Sequence, residues 1–332
     1  MGKTMLRIRL LQVPFRLLRC AVLLACGLVC ACQSAPQSKE LASNWPIPLA
    51  TAAMVDEVPF FAQDRYQCGP AALATVLVAS GLEITPAALV DQVYLPGRQG
   101  SLQVEIAAAA RQHERVVYQL APELSVLLTE ISAGNPVLVL QNLGLNSLPR
   151  WHFAVVKGFD RDSGELLLNS GLIENYRVAM TIFERTWARA GHWGITVTPA
   201  NRLPATATAT EYLSSLVDLE VSNSDFRVLE QAYQTGLRKW PDNIGLLMGY
   251  GNLLLTGEHY PQAIHLYRQV LELQADYAPA HNNLAQSLLQ DRQPLAAQNH
   301  ARLAVNYGGR FSELYARTLD EINSTISREG SN

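Results

Sequence analysis

The sequence predicts an α+β domain followed by an all-α helical-repeat domain. Three observations support this order: helix-like patterns give way to strand-like patterns between residues 54 and 200, a Pro/Ala/Thr-rich linker occupies residues 201–210, and residues 211–327 are helix-like with a 34-residue repeat. The chain has 332 residues, of which 48% are hydrophobic and 17% charged, so it is long enough and apolar enough for two globular domains.

Residues 1–31 are predicted to be a lipoprotein signal peptide. Five basic residues come first, and the apolar run Cys20–Ala31 has twelve residues. That run is too short to cross a bilayer, because a spanning helix needs about 20 residues. It ends in Val29-Cys30-Ala31-Cys32, which resembles a bacterial lipobox, so Cys32 is the predicted lipidation site. A second site at Cys26 and an ordinary signal peptide without lipidation are the alternatives. The resemblance also implies, through Ser34, anchoring in the outer membrane on its periplasmic side.

Removal of the signal peptide changes both the net charge and the cysteine content. The first 31 residues hold five of the 26 Lys and Arg residues and none of the 29 Asp and Glu residues, so the processed chain has a net charge of −8. This negative charge argues against nucleic acid as a partner. Besides the acylated Cys32, the processed chain keeps only Cys68, so an intrachain disulfide is excluded. Residues 32–53, rich in Pro, Ala and Ser, are expected to be a tether.

The first domain, residues 54–200, has helical periodicity in its first part and strand-like periodicity in its second part. The predicted helices begin at Cys68 and continue with Pro86–Val93, Leu102–Gln112, Glu123–Ser132 and Ile182–Ala190. The predicted strands are Val58–Phe61, Val116–Leu120, Pro136–Leu140, Trp151–Phe159, Glu165–Asn169, Tyr176–Met180 and Gly194–Thr198. The expected arrangement is helices first and an antiparallel sheet after them.

Cys68 is predicted to be a nucleophile at the start of a helix. It precedes Gly69, Pro70 and an Ala/Leu/Val run, and proline suits the first turn because its missing N–H has no intrahelical partner there. The unpaired N–H groups and the dipole at a helix N-terminus stabilise a thiolate, which is the form of cysteine that attacks carbonyls. A single cysteine is more often a small core residue, so this role depends on partners elsewhere in the chain.

His152 and Asn169 are the predicted partners of Cys68. His152 opens the strand Trp151–Phe159 after a Gly/Asn/Ser-rich loop, a suitable position for proton transfer. The hairpin that follows returns Asn169 to within a few residues of His152, where its side-chain oxygen would hold the imidazole tautomer.

Two further residues are candidates for this site. Gln63, together with the Cys68 backbone N–H, is expected to stabilise an oxyanion. His192 is an alternative partner for Cys68, although it has no comparable motif around it.

In chain order, these motifs resemble those of the bacteriocin-processing, double-glycine type of papain-like cysteine peptidase. The resemblance covers about 145 residues and rests on Gln63, Cys68-Gly69-Pro70-Ala71-Ala72, Trp151-His152-Phe153-Ala154-Val155-Val156 and Leu168-Asn169. It implies a papain-like fold with Cys68 as nucleophile, His152 as base, Asn169 as orienting residue and Gln63 in the oxyanion hole. Two features depart from the family pattern: Asn169-Ser170 stands where the family commonly has Asp-Pro, and the spacing from Gln63 to Cys68 is one residue shorter than usual.

Residues 211–327 are predicted to form tetratricopeptide repeats. At an offset of 34, the period of such helix pairs, Tyr233 aligns with Tyr267 and Asp242 aligns with Asp276. The best unit starts at Asp242, a second starts at Asp276, a degraded unit precedes them, and Phe311–Ile326 is expected to cap the stack. This domain is expected to bind a peptide or a partner protein; the alternative is that it only packs on the first domain.

The predicted function is that of a lipid-anchored cysteine peptidase of the cell envelope. It would act on a peptide or protein substrate through Cys68, His152, Asn169 and Gln63, without a cofactor. The sequence has no metal-ligand spacing and no glycine-rich phosphate loop. Two alternatives remain: transfer of the acyl group to an acceptor other than water, and a non-catalytic scaffold that binds partners through both domains. A scaffold needs neither Cys68 nor His152, which favours the enzyme.

Overall fold

The computed structural model of the protein describes residues 34–63, 67–222 and 224–329. The predicted signal peptide, residues 1–31, and the predicted lipidation site Cys32 lie outside the described residues. Within the described residues, every helix is too short or too polar to cross a membrane.

The first part of the described chain is an α+β domain, which confirms this half of the predicted fold class. Its helices are α1 (Pro36–Ser43), α2 (Cys68–Ala79), α3 (Pro86–Val93), α4 (Gln103–Gln112), α5 (Leu124–Ser132) and α6 (Met180–Ala188), with a short 3-10 helix at Pro96–Arg98. Its strands are β1 (Ala52–Met54), β2 (Val116–Gln119), β3 (Val137–Asn142), β4 (Trp151–Asp160), β5 (Glu165–Ser170), β6 (Ile173–Ala179) and β7 (Gly194–Thr198).

These strands form one antiparallel sheet in the order β2-β7-β3-β4-β5-β6, with β1 added beside β4. Strand β3 pairs with the first residues of β4, and β1 pairs with its last residues. Strand β5 pairs with residues 155–160 of β4 along the opposite edge. The start of β4 therefore has its place in the sheet through its pairing with β3.

The predicted strand Val58–Phe61 is wrong. Residues 58–61 have no regular secondary structure, and the strand of this region is β1, which lies closer to the N-terminus. Pro59 has no backbone N–H to donate to a neighbouring strand. Val58 is nevertheless buried, with 6% of its surface exposed, so the apolar pattern reflects burial and not strand pairing.

Helix α2 runs through the core of this domain. Its residues 69–77 are all buried, and it packs against α3, α4 and the strands β3, β4 and β7. A helix that is apolar on every side is typical of one surrounded by protein. The core therefore fixes the position of α2 and of Cys68, its first residue.

The segment expected to be a tether, residues 32–53, is folded onto the domain throughout its described part. The carboxylate of Glu184 on α6 is buried and accepts hydrogen bonds from the Gln37 N–H at 2.9 Å, the Ser38 N–H at 2.7 Å and the Ser38 hydroxyl at 2.6 Å. A carboxylate in this place pairs with the first N–H groups of α1, which have no intrahelical partner. Strand β1 then joins the sheet, so this segment belongs to the domain.

The predicted linker, residues 201–210, is also attached to the first domain. The Glu130 carboxylate on α5 is fully buried and accepts hydrogen bonds from the Ala205 N–H (3.1 Å), the Thr206 N–H (2.8 Å), the Thr206 hydroxyl (2.6 Å) and the Asn135 amide (2.7 Å). Helix α7 (Ala209–Val221) begins directly afterwards, and its buried side chains join the core of the α+β domain. The chain therefore has little freedom between its two parts.

The remaining described chain is all-α, as predicted, and is consistent with a helical-repeat domain. Helices α9 and α11 begin 34 residues apart, as do α10 and α12, and each helix packs against the next. Glu258 and Arg292, which lie between the helices of each pair, both have left-handed backbone angles. The helices after α7 are α8 (Phe226–Lys239), α9 (Ile244–Thr256), α10 (Tyr260–Leu273), α11 (Ala278–Gln290), α12 (Pro294–Tyr307) and α13 (Ser312–Glu329).

The stability of the helical region is expected to fall in mild acid. His281 on α11 and His300 on α12 have their Nδ1 atoms 3.0 Å apart. Burial lowers the pKa of His300, and the charges of His281 and Arg268 lower it further. Because the unfolded chain binds this proton more readily, stability is lost as the pH falls through about 6.5, the ordinary pKa of histidine. Thermal unfolding across this range checks the sign. We expect a weaker pH dependence in His300→Gln, and an unchanged dependence would contradict this role.

Candidate active site

Cys68 is the first residue of α2, as predicted, and its side chain is partly buried. The next residue is Gly69, where the helix approaches Ser101 so closely that a Cβ would overlap the serine hydroxyl and lie 2.5 Å from the serine Cβ. Only glycine leaves room for this approach. The Ser101 hydroxyl is itself buried and has no hydrogen-bond partner among the described residues. The sequence offered no sign of Ser101.

His152 is the second residue of β4. Its Nε2 atom forms a hydrogen bond of 2.9 Å with the hydroxyl of Ser170, at the end of β5. A hydroxyl donates or accepts, so Ser170 is able to hold either tautomer of the imidazole. The Nδ1 atom makes no hydrogen bond to a described residue.

The hydrogen bond predicted between Asn169 and His152 is wrong. The Asn169 amide donates to the Pro59 carbonyl at 3.1 Å and accepts from the Asn175 N–H at 3.4 Å. The sheet register explains the difference, because Asn169 pairs with Val155, whereas His152 lies an odd number of residues away along β4. Neighbouring residues of a strand point to opposite faces, so the next residue, Ser170, reaches the face that carries His152.

Three of the four residues predicted for the site line one cavity of about 940 Å³. They are Gln63, Cys68 and His152; Asn169 is buried elsewhere, with 5% of its surface exposed. The Gln63 N–H donates to the Gly171 carbonyl at 3.3 Å, which ties its backbone to the turn after Ser170. The wall also contains residues of the 3-10 helix, the start of α4 and the start of β4.

Both titratable groups of the pair are held in their neutral forms. Burial raises the pKa of the Cys68 thiol, and hydrogen bonds from the backbone at Phe153, Gly69 and Cys68 itself offset part of this effect. Burial lowers the pKa of His152, and the positive charge of Arg150 lowers it further. The helix start does not produce the lowered thiol pKa that the sequence predicted, because loss of solvation outweighs the backbone contribution. Attack by Cys68 as a nucleophile would therefore need a group, such as His152, that takes the thiol proton.

Replacing Ser170 with alanine is expected to slow reactions of Cys68 that depend on His152. One hydrogen bond to the imidazole contributes about 1 kcal/mol, which corresponds to roughly a fivefold lower rate. The measurement is the rate of covalent labelling by a peptide vinyl sulfone at saturating and limiting concentrations. We expect the maximal rate to fall while the half-saturating concentration stays the same. Ser170→Thr keeps the hydroxyl and should restore the rate; equal loss in both variants would point to a packing defect.

His192, the alternative partner, is not in the cavity wall. Its ring packs edge-on against Trp187, with the ring centroids 4.8 Å apart.

No group of three or more His, Cys, Asp or Glu side chains within residues 34–63, 67–222 and 224–329 is arranged to hold a metal ion.

Residues 55–195 match the Peptidase_C39 like family. They form a Peptidase_C39-like domain. The matched range contains Cys68, His152 and Ser170 and ends inside β7, so it covers the cavity and most of the sheet. No functionally curated protein matches the chain.

Several solved structures are similar to parts of this chain. A C39-like peptidase from Bacillus anthracis is 16% identical and covers 45% of this chain and 98% of its own, with a TM-score of 0.37. The peptidase domain of Streptococcus ComA, a bi-functional ABC transporter involved in a quorum sensing pathway, is 18% identical over 43% of this chain and 99% of its own, with a TM-score of 0.35. MamA from Desulfovibrio magneticus RS-1 is 16% identical over 39% of this chain and 71% of its own, with a TM-score of 0.35.

Proposed function

We propose that the protein is a cysteine peptidase that cleaves peptide bonds through Cys68 and His152. The observation that carries this proposal is the presence of both residues in the wall of one cavity. The Nε2 atom of His152 is hydrogen-bonded to the Ser170 hydroxyl, which holds the imidazole in place. The C39-like domain supports the same chemistry, because Cys68 and His152 lie within the matched residues. A nucleophile, a general base and a group that orients the base are what thiol catalysis requires.

The proposed reaction begins with attack of the Cys68 sulfur on the carbonyl carbon of the scissile peptide bond. The C–S bond forms as the thiol proton moves to His152 and the carbonyl π electrons move to oxygen. The Cys68 N–H has no intrahelical partner and, with the Gln63 side chain, would donate to this oxyanion. The C–N bond then breaks as His152 returns the proton to the leaving amine. A water molecule, deprotonated by His152, releases the acyl group from Cys68.

A peptide electrophile tests this proposal. Acetyl-Ala-Ala-Gly vinyl sulfone would be incubated with the full chain, and mass spectrometry would locate the adduct. We expect one adduct at Cys68, formed faster than with N-acetylcysteine at the same pH, and none in Cys68→Ser. Labelling no faster than that of N-acetylcysteine, and equal in His152→Ala, would leave the non-catalytic scaffold as the function.

We also propose that the protein is exported and anchored in the cell envelope through a lipid on Cys32, facing the periplasm from the outer membrane. The support is the apolar run Cys20–Ala31, which directly precedes Cys32. Incorporation of radiolabelled palmitate is expected to be lost in Cys32→Ala and retained in Cys26→Ala. The opposite result would place the anchor at Cys26.

For the helical region we propose tetratricopeptide repeats that bind a peptide or a partner protein. The support is the spacing of 34 residues between the starts of α9 and α11 and between those of α10 and α12. Because α7 contributes to the core of the first domain, a truncation at residue 211 would expose apolar surface. The test therefore uses photo-crosslinking in the full chain from position 295 on α12, where Leu295 is 68% exposed.

A further inference from the structure

Three arginines stand in the wall of the cavity that holds Cys68 and His152. They are Arg98 at the end of the 3-10 helix, Arg150 directly before β4, and Arg189 just after α6. The wall contains no Asp or Glu among the described residues. This composition contrasts with that of the whole chain, in which acidic residues outnumber basic ones and the net charge is −3.

Arg189 has the most fixed position of the three. It is partly buried, and its Nε–H donates to the carbonyl of Asn142, the last residue of β3, at 3.0 Å. Asn142 pairs with Trp151 in the sheet, so this bond holds the guanidinium beside the start of β4. The terminal nitrogens of Arg189 have no hydrogen-bond partner among the described residues. A guanidinium fixed at Nε presents its other N–H groups in a geometry that suits a carboxylate.

Arg150 lies close enough to the proposed base to act on its charge. Its positive charge contributes to the lowered pKa of His152. Arg98 is exposed and lies on the part of the wall formed by residues 98–103. Among the described residues, none of the three arginines forms an ion pair with a carboxylate. A cavity with charge of one sign and apolar walls concentrates ligands of the opposite sign.

We propose that this cavity takes peptide segments that carry Asp or Glu side chains, with Arg189 as the principal carboxylate contact. As a statement about substrate preference, this inference rests on the proposed peptidase function. Binding of an acidic peptide does not require the Cys68 reaction, so the two proposals have separate readouts. Arg98 and Arg150, which also line the cavity, add attraction.

The test measures binding to the full chain purified in mild detergent, with Cys68→Ser to remove reactivity. The probes are rhodamine-labelled (Glu-Ala)₄-amide and the matched (Gln-Ala)₄-amide and (Lys-Ala)₄-amide, followed by fluorescence anisotropy. We expect the Glu peptide to bind at least about tenfold more tightly than the Gln peptide, with the Lys peptide weakest. We also expect added salt to reduce the difference.

Variants locate the effect. Arg189→Gln is expected to reduce the Glu-over-Gln preference to about threefold or less, while Arg302→Gln, at an exposed position on α12, should leave it unchanged. Equal binding of the Glu and Gln peptides, or an equal effect of both arginine variants, would overturn the inference. If acidic peptides bind while Cys68 fails to react with the vinyl sulfone, the peptidase proposal fails and this one stands. If Cys68 reacts with the vinyl sulfone but the Glu and Gln peptides bind equally, the acidic-peptide proposal fails and the peptidase proposal stands.

Discussion

His152→Ala is expected to slow labelling of Cys68 by acetyl-Ala-Ala-Gly vinyl sulfone by about 10²–10⁴-fold at neutral pH, the usual contribution of a positioned general base. Burial raises the pKa of the Cys68 thiol, so little thiolate exists at this pH without a group that accepts the proton. His152 is neutral in the resting site because burial and Arg150 lower its pKa. The imidazole is therefore ready to accept the proton, and its removal leaves a protonated nucleophile.

The pH dependence of vinyl sulfone labelling tests the role of His152 in the unmodified protein as well. Since the pKa of His152 lies below its ordinary value of about 6.5, the base stays deprotonated at pH 7 and labelling should decline only in more acidic solution. In His152→Ala the rate should instead rise with pH, as alkaline solution ionises the thiol directly. His265→Ala, at an exposed position on α10, is the matched control. A wild-type rate in His152→Ala would show that Cys68 reacts without this base.

The sequence placed Cys68 and His152 correctly in the fold because each belongs to a local pattern. The Gly-Pro helix start and the apolar run after it fix Cys68 at the first residue of α2. The largely apolar run from Trp151 to Phe159 predicts a strand and so places His152 at the start of β4. Neither placement needs the position of a residue that is distant in the chain, whereas the proposed role of Cys68 depends on such residues.

The third residue of the site depends on strand register, which the sequence did not determine. The hairpin between β4 and β5 was predicted, but a shift of one residue exchanges the two faces of a strand. With Asn169 opposite Val155, Ser170 contacts His152 and Asn169 turns to the Pro59 carbonyl. The three arginines of the cavity were missed for a related reason, since they come from three separate parts of the chain.

The supposed tether and linker show a different limit of sequence patterns. Both segments are rich in Pro, Ala and polar residues and lack an apolar periodicity, which is typical of flexible chain. Each is nevertheless held by one buried carboxylate, Glu184 for the first segment and Glu130 for the second. Every residue except proline has a backbone N–H, so the side chains of the two segments do not indicate that their N–H groups are hydrogen-bonded. The acceptors, Glu130 and Glu184, both lie in helices, where a glutamate is normally expected at the surface.

Glu130→Ala is accordingly expected to lower the free energy of unfolding by about 3 kcal/mol, a large effect for a single substitution. The Glu130 carboxylate accepts from two backbone N–H groups, a hydroxyl and an amide, at distances from 2.6 to 3.1 Å. Alanine would leave these buried donors without an acceptor, and each unpaired donor costs free energy because it has lost its water. Urea unfolding of the full chain measures the difference.

Glu272→Ala is the control for replacing a helical glutamate with alanine. Glu272 is an exposed residue of helix α10, and its side chain has no hydrogen bond to a described residue. Its stability should stay within about 0.5 kcal/mol of the wild type. Hydrogen exchange then tests the location, because the amides of Ala205 and Thr206 should lose protection in Glu130→Ala before the rest of the chain does. Loss of stability with these two amides still protected would mean that Glu130 acts on α5 and not on the junction between the domains. Loss of protection at both amides would show that this carboxylate holds the segment between the C39-like domain and α7 in place, beside the apolar packing of α7 itself.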